Sequence, residues 1–380
     1  MNFDFTETQL LIKETARKFA QDELAPSAAE RDEKEEFPVE AVKKLGELGF
    51  MGMMVPEQYG GAGLDTISYV LAMEEISRAD ASCGVIMSVN NSLVCHGLNE
   101  WGTEEQKQRY LAPLASGKKL GAFALSEPEA GSDASNQRTT ATLDGESYVL
   151  NGTKNFITNG ASADVILVMA STDREKGPHG VSTFIVEKET PGLTVAKKEK
   201  KLGIRSSDTV SLAFQDCRVP KANRIGDEGF GFKFAMRTLD GGRIGIASQA
   251  LGIAQASLEA SVQYAKQRKA FGQYIAEFQA IQFKLADMAT RIEAARFLTL
   301  KAAALKDAGQ PYGHAAAMAK LFASKVAVDA ALEAIQIHGG YGYVKEYPVE
   351  RFLRDAKITE IYEGTSEVQR IIISRTLLKE

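Results

Sequence analysis

The sequence predicts a multi-domain α+β protein in which a β-domain lies between two helical regions. Three observations predict this class. Amphipathic helical segments run to about residue 118, short β-branched and aromatic runs follow, and long stretches with few helix breakers begin near residue 230. Strands and helices do not alternate along the chain, which argues against a Rossmann fold. We therefore expect an N-terminal helical domain over 1–118, a β-domain over 119–229 and a C-terminal helical bundle over 230–380.

The N-terminal domain is predicted to be built from short amphipathic helices. Thr6 and Gln9 have the spacing of a capping box, and apolar residues then recur on one helix face. Pro26 is expected to end this first helix, because proline cannot donate a backbone hydrogen bond within a helix. Further amphipathic segments follow near 39–48, 66–78, 82–97 and 103–115.

The middle region is predicted to form an antiparallel sheet or small barrel. Runs such as 165–168 and 183–186 are short and rich in β-branched residues. Asn151-Gly152 and Asn159-Gly160 are dipeptides typical of hairpin turns. After this region, the stretches 243–269, 277–307 and 314–338 have few helix breakers and short connections, which indicates a helical bundle.

Composition excludes several classes of function. The 380 residues carry a net charge of −5, so no overall basic field favours nucleic acid or an anionic membrane. The basic run 197–205 is interpreted as a solvated hairpin, with steering of an anionic ligand as the alternative. Three cysteines lie far apart and four histidines lack a partner at helical spacing, so neither disulfides nor a metal site is expected. P-loop, HExxH and GxSxG motifs do not occur.

The start of the chain bears on its location. No charged leader segment or long apolar run follows Met1. We therefore expect a cytoplasmic, bacterial-type chain without a targeting sequence, while a mature mitochondrial matrix protein whose presequence has been removed remains an alternative.

A carboxylate near the C-terminus is the leading candidate for chemistry. Glu363 precedes Gly364 and follows two apolar residues, and a helix start with capping-box spacing at Ser366 and Gln369 comes next. A carboxylate on a short turn with apolar neighbours has an adjustable pKa, as a general base requires. The alternative is a surface helix whose first turn carries acids because they suit the helix dipole. The nearby Glu360 and Glu367 do not adjoin the glycine.

Two further segments suggest a binding site for a planar cofactor. Residues 123–133 combine small and hydroxyl side chains on a turn, whose backbone N–H groups suit a pyrophosphate or the polar edge of a ring. Phe156 and Thr158 lie on one face of a predicted strand, where an aromatic wall and a hydrogen-bond donor suit an isoalloxazine ring. A plain loop and a strand facing the core are the respective alternatives.

Five segments together resemble the acyl-CoA dehydrogenase family, in the family's order and over essentially the full chain. They are 123–133, 156–158, Asp-Gly-Gly-Arg at 240–243, Gln-Ile-His-Gly-Gly-Tyr-Gly at 336–342 and Tyr-Glu-Gly-Thr at 362–365. The resemblance implies an N-terminal helical domain, a middle β-domain and a C-terminal four-helix bundle, with FAD held between the last two.

Two other segments, 84–93 and 243–252, are most similar to the short-chain, butyryl-CoA type. Bulky Ile86 and Met87, on a helix that lines the acyl pocket, are expected to shorten it.

The resemblance implies a role for each matching residue. Glu363 would be the catalytic base, and Gly242 carries no carboxylate that could replace it. The substrate would contact Ser132, Asp240, Arg243 and Gly364. FAD would be held by Phe123, Leu125, Ser126, Gly131, Ser132, Phe156, Ile157, Thr158, Thr365 and Glu367, and its adenosine and pyrophosphate end, partly across a subunit boundary, by Arg268, Phe271, Gln279, Gln336, Gly339 and Gly340.

The implied reaction is FAD-dependent α,β-dehydrogenation of a short-chain acyl-CoA thioester to the trans-2-enoyl-CoA, as in fatty acid β-oxidation. Electrons would pass to an electron-transferring flavoprotein, through an exposed apolar patch on the N-terminal helices. The chain would form a homotetramer, a dimer of dimers, without nucleic-acid, membrane or metal partners. The alternatives are an acyl-CoA oxidase-like flavoenzyme using O₂, a short branched-chain acyl-CoA dehydrogenase, and a non-catalytic helical scaffold.

Overall fold

The computed structural model describes residues 4–378, which begin with a helical region. The capping box predicted at the first helix is confirmed: Thr6 Oγ1 accepts from Gln9 N at 3.2 Å, and Gln9 Oε1 accepts from Thr6 N at 2.9 Å. Three wide π-helical segments interrupt the region, at Ala20–Leu24, Val89–Cys95 and Lys107–Leu111. Its helices are α1 (Glu7–Phe19), α2 (Ala25–Lys34), α3 (Val39–Glu47), α4 (Thr66–Ala79), α5 (Ala81–Ser88), α6 (His96–Trp101), α7 (Glu104–Gln106) and α8 (Ala112–Ala115).

The prediction that Pro26 ends the first helix is wrong. Helix α1 runs through the π-helical segment Ala20–Leu24 directly into α2, and Pro26 lies in the first turn of α2. The wide turn interrupts the regular i→i−4 hydrogen-bond ladder just before Pro26, where a missing N–H donor costs little. One long helix therefore crosses the position at which the sequence suggested a stop.

The middle region is a mixed eight-stranded sheet with the order β6-β7-β3-β2-β4-β5-β8, in which β1 pairs with β4. The predicted β-domain is confirmed, but the purely antiparallel sheet and the small barrel are wrong. Strand β1 runs parallel to β4, and no pairing joins β6 to β8 within residues 4–378. The strands are β1 (Gly121–Ala124), β2 (Thr140–Asp144), β3 (Ser147–Thr158), β4 (Val165–Ser171), β5 (Val181–Glu187), β6 (Leu193–Lys198), β7 (Thr209–Pro220) and β8 (Arg224–Ile225).

One of the two predicted hairpin turns is misplaced. Asn159-Gly160 forms a turn after β3, as expected, with Asn159 at a φ of +64°. Asn151-Gly152 instead lies inside β3, at an irregularity in its register with β7. The chain reverses between β2 and β3 at Gly145, which has a φ of +61°. Gly152 is required in the strand because a Cβ there would overlap Thr139.

The C-terminal region is helical, as predicted, with three long helices and two shorter ones. Helices α9 and α11 pack along each other, α10 packs against both, and α4 of the N-terminal region lies on α9. A single buried cluster joins Val85, Phe123, Ile244 and Ala327 from all three regions. The elements are α9 (Gly231–Gln267), the hairpin β9 (Lys269–Ala270) and β10 (Gln273–Tyr274), α10 (Gln279–Asp307), α11 (Gly313–His338), α12 (Val349–Thr359) and α13 (Ser366–Leu377).

Within residues 4–378, no helix combines the length and the apolar character that crossing a membrane would require.

Candidate active site

Two cavities meet where the three regions join. The smaller has a volume of about 190 Å³ and is lined by apolar side chains that include Val85, Val89 and Leu93. The larger, of about 550 Å³, extends between the sheet and α12. The residues that line both are Ser126, Gly131, Ser132, Phe156, Thr158, Tyr362, Glu363 and Gly364.

Glu363 lies on the turn that connects α12 to α13. Its φ is +53°, and that of Gly364 is +94°, so both residues adopt the left-handed conformation that a tight turn requires. Buried Gln369 fastens this turn: its Nε2 donates to the carbonyls of Glu363 at 3.2 Å and Gly364 at 2.9 Å. The cap of α13 was predicted at Ser366, but the capping residue is Thr365, whose Oγ1 accepts from Val368 N at 3.4 Å.

The Glu363 carboxylate is buried and short of hydrogen-bond partners. Among the residues that the structure describes, its Oε2 atom has no hydrogen-bond partner. Burial raises the pKa of Glu363 to about 7, and the charges of Lys320 and Arg243 hold it below the value that burial alone would give. The group can therefore exchange a proton near neutral pH, as a general base must.

Lys320, which the sequence analysis missed, is fully buried on α11 beside this turn. Its Nζ donates to the carbonyl oxygen of Gly364 at 2.6 Å. Burial lowers the pKa of Lys320 to about 8, while the Glu363 charge opposes that shift. The sequence signal was weak, because the alanine-rich stretch 314–338 carries two lysines, Lys320 and Lys325, and only Lys320 is buried.

Gly242 on α9 provides the space that the Glu363 carboxylate occupies. A Cβ at position 242 would overlap Glu363 Oε2 and would stand 2.8 Å from Leu93 Cδ2. The glycine noted in the sequence for its missing carboxylate is therefore also a steric requirement of the site.

Asp240 and Arg243 form a partly buried ion pair one turn apart on α9. Arg243 is only 4% exposed and lines the smaller cavity, whereas Asp240 does not line either cavity at Glu363. The Asp240 carboxylate faces Gly313 at the start of α11. Burial raises the pKa of Asp240, and the charge of Arg243 opposes this effect.

The sheet side of the site is formed by the end of β3 and the loop after β1. Phe156 has a φ of +59° at an irregularity in the register of β3, and its side chain is 66% exposed. Ile157 is buried and lines only the smaller cavity, together with Phe123 and Leu125. Ser126, Gly131, Ser132 and Thr158 line both cavities, so these predicted residues are brought together.

Lys154, also missed from the sequence, supports this wall from behind. Its fully buried Nζ donates to Glu127 Oε1 and Gln137 Oε1, both at 2.7 Å, and to the carbonyl of Leu125 at 3.1 Å. The lysine thereby ties β3 to the segment after β1, so the loop is held from within the sheet.

The residues predicted to hold the adenosine end of FAD lie elsewhere on the surface. Arg268, Gly339 and Gly340 line one surface pocket, in which the Arg268 guanidinium lies 5.5 Å from the centre of the Tyr341 ring. The Phe271 side chain is 98% exposed. None of the six lines the cavities at Glu363. The remaining members, Gln279 and Gln336, are exposed at the start of α10 and near the end of α11.

Thr365 and Glu367, both predicted to bind the cofactor, lie in different environments. Thr365 lines the larger cavity, whereas Glu367 does not line either cavity and forms a surface ion pair with Arg370 at 3.3 Å.

The expectation for Ile86 and Met87 is wrong. Both are fully buried in a different cluster, on the side of the helix that packs against Tyr69 and Leu45. Val85 and Val89 line the smaller cavity instead. The helix was correctly placed at the pocket, but the face that lines the pocket carries Val85 and Val89 and not Ile86 and Met87.

The larger cavity fits a flavin. Phe156 offers it an aromatic face, and the hydroxyl-bearing residues Ser126, Ser132 and Thr158 line the same cavity. The Phe156 ring is exposed, and a strained backbone conformation with positive φ holds it there. A planar ligand in the cavity would cover this ring. Within residues 4–378, no group of three or more His, Cys, Asp or Glu side chains is placed to hold a metal ion.

A helical–β–helical fold, with a buried carboxylate of pKa near 7 beside a cavity that suits a flavin, defines a flavin-dependent dehydrogenase of carbon acids. Three family models match successive parts of the chain. They describe the N-terminal domain of acyl-CoA dehydrogenases over residues 6–118, the middle domain over 122–217 and the C-terminal domain over 229–378. The chain belongs to the acyl-CoA dehydrogenase family, which confirms the resemblance.

Individual relatives match over the whole chain. The short-chain specific acyl-CoA dehydrogenase of Clostridium acetobutylicum is 53% identical over 379 residues, covering 100% of both proteins. The structure of butyryl-CoA dehydrogenase from Megasphaera elsdenii aligns with a TM-score of 0.98 at 51% identity, covering 100% of both chains. A chain in a structure of the electron transferring flavoprotein of Acidaminococcus fermentans aligns with a TM-score of 0.99 at 55% identity, also covering 100% of both chains.

Proposed function

We propose that this chain catalyses the FAD-dependent α,β-dehydrogenation of a short-chain acyl-CoA thioester to the trans-2-enoyl-CoA and passes the electrons to an electron-transferring flavoprotein. The observation that carries the proposal is the Glu363 carboxylate, buried between two cavities with Oε2 unpartnered among the described residues. Relatives with short-chain and butyryl-CoA names support the substrate class, and the Acidaminococcus structure supports the partner.

Glu363 is the base in this mechanism. The α-proton of a thioester is weakly acidic, so the acceptor must be deprotonated before the reaction and must hold the proton firmly afterwards. A pKa near 7 meets both demands, whereas an exposed glutamate would release the proton too readily. Bound FAD would supply the acceptor for the hydride that leaves the β-carbon.

Developing enolate charge requires hydrogen-bond donors at the thioester oxygen. The family resemblance assigns one of them to the backbone N–H of Glu363. Gln369 holds the carbonyl of Glu363 and Lys320 that of Gly364, so the turn that carries this N–H is fixed at the two peptides that follow it. The positive charge of buried Arg243, beside the smaller cavity, also favours an anionic intermediate.

The cofactor is assigned to the larger cavity and the acyl chain to the smaller. Phe156, Thr158 and Thr365 would hold the flavin ring, together with Ser126, Gly131 and Ser132 on the loop after β1. Ser132 and Gly364, which line both cavities, would also contact the thioester. A volume of about 190 Å³ lined by Val85, Val89 and Leu93 suits a short acyl chain.

The surface residues acquire a role if the chain assembles. Arg268, Phe271, Gln279, Gln336, Gly339 and Gly340 would hold the adenosine and pyrophosphate end of FAD that belongs partly to a neighbouring subunit. The nearly complete exposure of Phe271 supports this assignment. We propose a homotetramer in the cytoplasm, with domains over 1–118, 119–229 and 230–380 and with α9 to α12 as the four-helix bundle.

The decisive experiment is anaerobic mixing of purified protein with acyl-CoA thioesters of increasing chain length. The protein should be yellow, and butyryl-CoA should bleach the flavin faster than longer thioesters. Air should then reoxidise the flavin slowly, while rapid formation of peroxide would select the oxidase. Faster bleaching by a short branched thioester would select the branched-chain alternative. A colourless protein that cannot be reconstituted with FAD would refute the proposal.

A further inference from the structure

We propose that Lys320 is a positioning residue that holds the Glu363–Gly364 turn and keeps the Glu363 carboxylate ionised before substrate binds. The inference rests on the proposed function, because it concerns the same base. It adds a residue on α11 that neither touches the cavities nor follows from the sequence motifs.

The contact with the turn is direct. Lys320 Nζ donates to the Gly364 carbonyl at 2.6 Å, and Gln369 Nε2 donates to the same oxygen at 2.9 Å. One donor comes from α11 and the other from α13, so the peptide between Gly364 and Thr365 is held from two sides. Because both Glu363 and Gly364 have positive φ values, the turn needs such external contacts to stay in place.

Two cations act on the Glu363 carboxylate, and only one of them is already paired with another carboxylate. Arg243 reaches the site from α9 but is already paired with Asp240. Lys320 forms no direct ion pair among the described residues. Of the carboxylates that act on its charge, Glu363 has the largest effect, and Glu360 and Glu367 have smaller effects.

The remaining groups that face Glu363 are phenols. Tyr69 on α4 and Tyr362 on the same turn both sense its charge, and burial raises the pKa of each well above the range in which it would ionise. Lys320 is therefore the one nearby cation, among the described residues, whose charge is not committed to a different carboxylate.

Removal of this cation has a predictable consequence for the base. Burial raises the pKa of Glu363, and the charges of Lys320 and Arg243 limit the rise. Without the Lys320 charge, the carboxylate should hold its proton at higher pH, so a smaller fraction of enzyme is ready to accept the α-proton at a given pH.

The test isolates proton transfer from hydride transfer. The holoenzyme is reduced with dithionite, so butyryl-CoA cannot be dehydrogenated, and exchange of its C2 hydrogens with D₂O is followed by mass spectrometry across pH. Lys320→Met removes charge and hydrogen bond, Lys320→Gln keeps a donor without the charge, and Lys320→Arg keeps the charge. Lys306→Met is the matched control, because burial also lowers the pKa of that lysine to about 8 and it does not number among the charges acting on Glu363.

We expect the acidic limb of the exchange profile to move to higher pH by about one unit in the Gln and Met variants, which is about tenfold slower exchange below the limb. Lys320→Arg should keep the limb of the wild type, and Lys306→Met should leave it unchanged. If Met fails to fold, the comparison of Gln with Arg carries the same test.

Two results would overturn the inference. One is an unmoved limb in Lys320→Gln, and the other is an equal shift in Lys306→Met, which would indicate general loosening. Failure of the proposed function looks different, because wild-type protein would then neither exchange the C2 hydrogens nor bleach with any thioester.

Discussion

Gly242 and Glu363 fit together so closely that a methyl group at position 242 would overlap the carboxylate oxygen Oε2. The two residues are more than a hundred positions apart in sequence, one within α9 and the other on the turn between α12 and α13. A side chain at 242 and a carboxylate in its present position at 363 are therefore mutually exclusive.

Gly242→Ala should impair proton abstraction. The added methyl must displace the Glu363 carboxylate, and a displacement of about 1 Å can cost about 100-fold in rate. The measurement is the rate of anaerobic flavin bleaching by butyryl-CoA.

Gly241→Ala is the matched control for this change. A Cβ at position 241 meets Lys306 Nζ at 3.7 Å and Tyr312 Oη at 3.8 Å, which is ordinary contact. Both substitutions gain similar helix propensity, so only the clash differs. Equal rates in the two variants would remove the steric argument.

Glu363→Gln should abolish turnover while preserving the site. The amide has nearly the same shape but cannot accept the α-proton, so we expect a loss of about 10²–10⁴-fold or more in bleaching rate. FAD content and binding of butyryl-CoA should stay near the wild-type values. Glu360→Gln is the control, since that carboxylate pairs with Lys357 Nζ at 2.6 Å. Loss of activity only in the control would move the base to position 360.

Glu363→Gln should also raise stability in a pH-dependent manner. The pKa of Glu363 rises from an ordinary 4.5 to about 7, so the folded protein binds its proton more tightly than the unfolded chain. Its contribution is therefore fully favourable below pH 4.5 and is lost as the pH rises through about 7. At higher pH the variant should gain on the order of 2–3 kcal/mol.

The measurement is the Tm of wild type and Glu363→Gln at about pH 4.5 and about pH 8.5, with the FAD concentration held constant. The difference should be small at the lower pH and positive at the higher one. A constant difference at both pH values would show that the charge of Glu363 is not what destabilises the fold.

Val89→Ala should broaden the acceptance of acyl chains. Val89 lines the smaller cavity, and each additional methylene accommodated there changes discrimination by about 1–3 kcal/mol. Relative to butyryl-CoA, we expect bleaching by hexanoyl-CoA to improve by about tenfold or more. Ile86→Val is the control, because Ile86 packs away from the cavity. A larger change in the control would restore the original assignment of Ile86.

Lys154→Met should destabilise the protein and weaken FAD binding. The change leaves the Glu127 carboxylate buried without its cation, which costs about 3–5 kcal/mol in comparable buried pairs. The loop 123–133 would lose its support, so FAD should dissociate during gel filtration. Lys176→Met, at an exposed pair with Asp173, is expected to leave Tm and FAD content unchanged. Full retention of FAD by Lys154→Met would contradict this role for the buried pair.

Local signals predicted the features that depend on neighbouring residues. The cap at Thr6 and the turn at Asn159 follow from a few adjacent side chains, and both are present. The position of Glu363 on a turn was likewise readable from Gly364 and the helix start that follows.

Features that depend on distant contacts were not predictable in the same way. The parallel pairing of β1 with β4, the place of Asn151 within β3 and the lining face of Val85 are decided by packing between separate segments. Lys154 and Lys320 were missed for the same reason: a lysine is recognised as buried only when its surroundings are known.

The extra residue in the π-helical segment Val89–Cys95 gives the acyl pocket a second means of variation. An α-helix turns about 100° per residue and the wide π-turn less, so deleting one residue there would restore regular winding with little rotation of the flanking helices. Val85 precedes the segment, whereas Val89 and Leu93 lie within it, and all three line the cavity. A one-residue change in length would therefore exchange the lining side chains inside the segment while the helices on either side keep their faces.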